Sequence, residues 1–169
     1  NLTVLSKAEK RKFQTPPLLP SNQKGFYFSL SDDVQSVLKF LKKPVNKIGF
    51  LLQLGYFKAT AKFYTPNQFR PSDIKYVSKL FACTINIKDY KEKTTQNHQK
   101  KILNLLDWDP FDGKSMAHLS AFSESKIQDF SSPKEVLLEI VEHCWKTKTE
   151  IPSYFVISNI ITKSYNSFE

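Results

Sequence analysis

Residues 46–63 read NKIGFLLQLGYFKATAKF, the most apolar run in a chain that is otherwise strongly basic. The apolar part extends only from Ile48 to Phe57, Gln53 interrupts it, and Lys58 and Lys62 follow. It falls short of the roughly 18–20 residues that a membrane span requires. On a helix, Ile48, Leu51, Leu52 and Ala59 occupy one side and Phe50, Leu54, Phe57 and Ala61 another. A helix apolar nearly all round is buried at the centre of a bundle. The stretch is therefore expected to be a core helix, with Lys58 and Lys62 near its C-terminal end, where cations favour the helix dipole.

Helix signals surround it. Ser6-Lys7-Ala8-Glu9 and Ser132-Pro133-Lys134-Glu135 fit the S-x-x-E capping box, and the second has Pro at the first helical position. Ser31-Asp32-Asp33 offers an N-cap and two acids in the positive first turn, ahead of Val34, Val37, Leu38 and Leu41. Helical spacing also fits Ile74, Val77, Leu80 and Phe81, then Ile102, Leu103, Leu105 and Leu106, then Val136, Leu137, Ile140, Val141 and Cys144. The run Phe155, Val156, Ile157, Ile160, Ile161 reads as helix or, over its first three residues, as strand. Gly-based hairpin signals are absent. The expectation is an all-α, multi-helix bundle.

Breaks fall at Thr15–Pro20, Thr65–Pro71 and Asp107–Gly113, and the third coincides with a change of charge. Residues 1–112 hold 19 Lys/Arg against 9 Asp/Glu; residues 113–169 hold 6 against 7. Two subdomains are expected, a basic one over 1–112 and a neutral one over 113–169. The net charge of +9 points to a polyanion partner, because clustered cations gain free energy by releasing counterions from a phosphate backbone. The opposing reading is a Lys-rich solvated surface. Two cysteines, Cys83 and Cys144, make neither a disulfide framework nor a CxxC zinc site and suit a reducing cytoplasm. The chain opens on Asn1 rather than Met, so a piece of a longer protein is the expectation, and no basic-then-apolar leader is read in it.

No catalytic centre stands out. Asp107, Asp109 and Asp112 crowd six residues, but a calcium loop needs further oxygen ligands and a late Glu. Gly113-Lys114-Ser115 has Trp108 where a phosphate loop needs its first Gly. His98, His118 and His143 are too scattered along the chain for a ligand set, and Cys144 beside His143 belongs on a packed helix face. No metal and no cofactor are expected in this chain.

Residues 74–102 carry more information. IKYVSKLF forms a helix, Ala82-Cys83-Thr84 a turn, and the polar, basic IKDYKEKTTQNHQKKI a second helix or a pair of short ones. A bracing helix, a turn and a helix rich in Lys, Gln, Asn and His suits a helix-turn-helix-like reader of DNA, although the turn lacks its usual Gly.

LSKAEKRKF at 5–13, FYFSLSDDV at 26–34, NKIGFLLQLGYFK at 46–58, the helix from Tyr76-Val77 to Leu80, Asp89-Tyr90, His98 and Pro110-Phe111 together resemble the N-terminal region of the large Tn-three-type replicative transposases. The ordered series covers roughly residues 5–112, and EIVEHCWKTKTEIPSYFVISNII resembles the helix, basic turn and second helix that follow in that family. The resemblance implies a helical, non-catalytic DNA-binding module that recognises the terminal inverted repeats of the transposon. The metal-dependent DDE-type catalytic domain of the parent transposase then lies far downstream. The chain departs from the family at Lys93–Asn97, where relatives carry an Arg-rich approach to the His, and at Asp109, where they carry a basic residue.

On this reading the principal contacts with double-stranded DNA are Lys91, Lys93, Gln96, Asn97, His98, Lys100 and Lys101. Lys42, Lys43, Lys47, Arg70, Lys75 and Lys79 supply phosphate contacts, and a second helix-turn-helix-like element near 133–148 and 152–166 adds Lys146, Lys148 and Lys163. Lys positions a protein on the phosphate backbone, whereas Gln and Asn pair with adenine edges. The protein is expected in the bacterial cytoplasm, associated with the nucleoid, with no membrane partner and with self-association through its full-length form. The alternative is a helical interaction or assembly module whose basic surface is incidental and whose aromatics Tyr27, Trp108 and Phe122 form a partner patch.

Overall fold

The computed structural model describes residues 2–129 and 132–168. The chain ends Asn1 and Glu169, which bound the two expected subdomains, lie outside that range. Among the described residues nine α-helices form and no strand does, so the chain is an all-α multi-helix bundle. Its residues cluster into two units, Asn1–Gln14 with Asp107–Glu169, and Thr15–Leu106. The expected division at 112/113 differs from this one in two ways: the second boundary falls after Leu106, and the first helix belongs with the C-terminal helices.

In Thr15–Leu106 the central element is α4 (Pro44–Thr60), which buries every residue from Ile48 to Phe57. Pro44 at its start fixes a helical φ, and Ala61 in the left-handed region (φ 59°) ends it. Around it pack α2 (Lys24–Tyr27), α5 (Pro71–Leu80) and α6 (Glu92–Leu106), with α3 (Asp32–Leu38) leading into it. Ser31 stands at the N-cap of α3 without a side-chain cap bond, so only the first-turn acids Asp32 and Asp33 support that start as expected. A Cβ on Gly55 would lie 2.3 Å from a ring carbon of Phe28, so only glycine lets that buried ring reach the helix backbone. Asp73 is buried in the first turn of α5, accepts from the Tyr56 hydroxyl at 2.6 Å and pairs with Lys24 at 2.9 Å. These bonds tie α2, α4 and α5 together.

In the other unit α7 (Gly113–Lys126), α8 (Pro133–Thr147) and α9 (Tyr154–Phe168) pack on one another, and α1 (Lys7–Gln14) packs on α9. The stretch from Phe155 to Ile157 is helix, because Ile157, Ile160 and Ile161 face inward at helical spacing. The capping box at Ser6 is reciprocal: Ser6 N–H donates to Glu9 Oε1 at 2.9 Å, and Glu9 N–H donates to Ser6 Oγ at 3.2 Å. Ser132 Oγ likewise accepts from Glu135 N–H at 3.2 Å. Val4 and Leu5 are buried, and the Leu5 amide donates to the Tyr154 hydroxyl. The acidic turn is structural: Asp112 caps α7 by accepting from the Ser115 amide at 3.0 Å, and an isolated parallel bridge joins Asp109 to Thr149. No described helix is long and apolar enough to cross a membrane.

Candidate nucleic-acid interface

Helix α6 splits its residues by face. Thr95, His98, Ile102 and Leu103 are buried, while Lys93, Gln96, Asn97, Lys100, Lys101 and Asn104 are exposed. The exposed set recurs at spacings of three and four, which on a 3.6-residue helix draws one continuous stripe. Lys91 is exposed just before the helix, and its carbonyl accepts from the Thr95 hydroxyl.

His98 is corrected from surface contact to core residue. It is 2% exposed, and its Nδ1 lies 2.6 Å from the Tyr90 hydroxyl. That hydroxyl also accepts from Gln53 Nε2 at 2.7 Å, and the direction of its bond with Nδ1 is set by the tautomer of the ring. Burial, with the Lys101 charge adding to it, pushes the His98 pKa down to about 4. Gln53 also donates to the Thr95 carbonyl at 3.3 Å and accepts from Gln99 at 3.4 Å. A Cβ on Gly49 would sit 2.5 Å from the Tyr90 ring. Gly49 and Gln53, one helical turn apart on α4, thus make the seat and the hydrogen bond for Tyr90, and Tyr90 holds the buried face of α6. The N-x-x-G-F-x-x-Q order of the opening stretch has its physical reason in this seat.

The helix-turn-helix expectation changes in form. Eleven residues, 81–91 with a 3₁₀ turn at Ile87–Asp89, separate α5 from α6, against the three or four of a tight helix-turn-helix connection. Each of the two helices packs on α4.

The remaining candidates in this unit divide. Lys42, Lys43, Lys75 and Lys79 are exposed, and Lys47 is half-buried in the first turn of α4. Lys75 and Lys79 border a cleft of about 540 Å³ with Ile74, Cys83 and Ile87. Arg70 is half-buried and serves as a strut: its Nε donates to the Pro16 carbonyl at 2.9 Å, and its amide donates to the Tyr56 hydroxyl at 3.1 Å. Lys62 is 7% exposed, beside the Tyr64 ring, and burial lowers its pKa to about 7. It belongs to the core and does not extend the charged surface at the end of α4. Asn104 and Lys88 are exposed members of this region missing from the expected set; helical spacing from Lys100 and Lys101 would have found Asn104.

In the other unit Lys146, Lys148 and Lys163 are exposed; Lys146 pairs with Glu142 at 3.3 Å, and Lys148 ends α8 in a left-handed conformation. The three aromatics expected as a partner patch are each half-buried: Tyr27 packs on Phe26, Trp108 on Trp145, and Phe122 on His143. Among the described residues Phe26, Phe40 and Phe155 are the strongly exposed rings. Cys144 is buried, and burial pushes its thiol up to about 11, as for an inert core cysteine. Among the described residues no group of three or more His, Cys, Asp or Glu converges on a metal position.

The charge separates with the fold. Thr15–Leu106 holds 15 Lys/Arg against 5 Asp/Glu, whereas Asn1–Gln14 with Asp107–Glu169 holds 10 against 11. A family model described as a domain of unknown function, DUF4158, matches residues 4–164. The chain belongs to the DUF4158 family. The match covers residues of both units, so a DUF4158 domain here comprises the basic unit and the neutral one together. No curated protein matches the chain.

Proposed function

We propose that the chain is a non-catalytic DNA-binding module of a Tn-three-type replicative transposase and recognises the terminal inverted repeats of its element. The observation that carries this reading is the α6 stripe: four side chains able to hold phosphates or guanine edges, Lys93, Lys100, Lys101 and nearby Lys91, interleave with the amides Gln96, Asn97 and Asn104. Lysines fix register on the backbone, and amides read adenine bidentately in the major groove. The resemblance of residues 5–112 to the transposase N-terminal region supports the same substrate. The clean division of charge supports it too, since an incidental surplus of lysine would not need to gather in one unit. Lys42, Lys43, Lys47, Lys75 and Lys79 flank the duplex in this reading, and α8–α9 contributes Lys146, Lys148 and Lys163 from the neutral unit. Strand cleavage and joining belong to the parent protein's metal-dependent domain, in the cytoplasm at the nucleoid, with self-association supplied by the full-length protein.

Fluorescence anisotropy against a terminal-repeat duplex and a scrambled duplex, over a salt series, tests it. Affinity should fall roughly 10³-fold or more between about 50 and 200 mM salt, and the repeat should bind more tightly than the scramble. Equal affinity for both leaves a general polyanion binder. The second reading, an assembly module, draws on the exposed Leu18, Phe26 and Phe40 of the basic unit; salt-insensitive capture of a protein with no duplex binding at low salt would favour it.

A further inference from the structure

His118 on α7 and His143 on α8 stand 25 positions apart in the sequence, yet their Nε2 atoms lie 2.8 Å from each other. The rings are nearly parallel, 22° apart, with centroids at 5.0 Å. That separation exceeds the Nε2–Nε2 distance by about two ring radii, so the nitrogens meet head to head rather than through stacked faces. Phe122 lies flat on His143, centroids 4.0 Å apart and 19° from parallel, and fixes the plane of that imidazole. His118 is exposed and borders an open cleft of about 470 Å³ with Ser115, Thr147 and Thr149.

We propose that His118 and His143 form a two-imidazole clamp for a late first-row transition-metal dication, Zn²⁺, Ni²⁺ or Cu²⁺, which joins α7 to α8. In the metal-free pair one Nε2–H donates to the other nitrogen's lone pair. Moving that proton from Nε2 to Nδ1 of the same ring, a tautomer shift that keeps both imidazoles neutral and releases no net proton, lets both Nε2 atoms act as lone-pair donors to a dication. Metal–nitrogen bonds of about 2.0–2.1 Å place two tetrahedral ligands roughly 3.3 Å apart. The nitrogens therefore open by about half an ångström and the His118 ring turns so that both lone pairs converge on the metal, a change that rotation of the exposed His118 side chain supplies.

The chemistry of the donors sets the selectivity. Imidazole suits Zn, Cu and Ni, whereas Mg²⁺ and Ca²⁺ require oxygen ligands. No third His, Cys, Asp or Glu joins the pair among the described residues, so water from the adjoining cleft completes the coordination. The site is thus exchangeable, and weaker than a closed four-ligand structural site. Lys126 and Lys146 are the cations whose fields reach His143, and Glu142 partly offsets Lys146. A bound metal links the neutral unit's helices across the face that carries Phe122, independently of the DNA reading.

The test uses the full, untagged chain with one equivalent of CuCl₂ at micromolar concentration. The Cu²⁺ electron paramagnetic resonance spectrum should show hyperfine structure from two nitrogen ligands. NiCl₂ and ZnCl₂ should raise the Tm saturably, and MgCl₂ and CaCl₂ should leave it unchanged. His118→Asn and His143→Asn should each weaken Ni²⁺ binding roughly tenfold or more. Because His118 is exposed, its variant retains the fold, and the spectrum of the unaltered chain needs no variant at all. Spectra with fewer than two nitrogen ligands, binding unaffected by either substitution, or no binding at equimolar copper would each overturn the clamp.

Discussion

Thr15–Leu106 buries Phe28, Phe50, Tyr56, Phe57, Tyr64, Phe69 and Tyr90 and, among them, the polar Gln53, Lys62, Asp73, Thr95 and His98. The unit formed by Asn1–Gln14 and Asp107–Glu169 is built otherwise: Val136, Leu137, Ile140, Ile157, Ile160 and Ile161 are buried along with Tyr154, and among its described residues the buried polar ones are Ser123 and Ser164, bonded to each other at 2.9 Å. The basic unit thus has a mixed aliphatic and aromatic core crossed by hydrogen bonds, and the neutral unit a mainly aliphatic one. Directional bonds in a low-dielectric interior specify orientation as well as compactness. On the proposed DNA-binding reading the basic unit needs that property, since the α6 stripe then serves only if α6 is held in one rotation. The chain Gly49–Gln53–Tyr90–His98 sets that rotation from beneath.

Four substitutions or conditions test this contrast, beginning with the largest effect. Asp73→Ala removes a buried carboxylate and leaves Lys24 and the Tyr56 hydroxyl without their partner; a loss of about 3–5 kcal/mol is expected from urea unfolding. Amide exchange should show the lost protection in residues 15–106 while 132–168 keep theirs. Equal loss throughout would mean that the two units unfold as one.

Acid should act next most strongly, with the buried His98 as its largest single target. His98 is neutral in the folded chain down to about pH 4, whereas the unfolded ring takes a proton near 6.5. Between these values the unfolded state binds the extra proton, so stability falls as pH drops through that window and levels off below it, by about 3 kcal/mol in all. His98→Gln should lose this part of the pH dependence; an unchanged slope would remove His98 from the account.

Gly49→Ala places a Cβ against the Tyr90 ring, and overpacking of this kind costs about 1–3 kcal/mol. It should also weaken duplex binding without touching an exposed lysine, measured by anisotropy at constant salt. Unaltered affinity would separate the seat of Tyr90 from the stripe. The smallest effect belongs to the neutral unit: Ser132→Ala removes the N-cap of α8 and should cost about 1 kcal/mol, with duplex affinity unchanged.

Helix starts were legible because they are local: Ser6 and Glu9 find each other within one turn whatever the rest of the chain does. The central helix was legible for a related reason, since a stretch apolar on every side has nowhere stable to go but inside. Helix α7 was not foreseen, as its inward residues Leu119 and Ser123 make too thin an apolar stripe to show periodicity, and its start depends on the Asp112 cap. In the candidate site the exposed lysines and amides of α6 could be read from residue type, but His98, Arg70 and Lys62 could not be told from them. Each carries a side chain that suits DNA, and each is claimed by a partner or a core distant in sequence.

The amino-acid order by itself determined the all-helical class, the burial of residues 48–57 and the surplus of positive charge in the first two thirds, because composition, periodicity and capping act over a few residues. Tertiary structure alone decided that residues 1–14 join the C-terminal helices, that Tyr90 and His98 meet Gln53, and that His118 faces His143. Those outcomes depend on contacts between residues far apart in the chain, whose geometry follows from packing rather than from spacing.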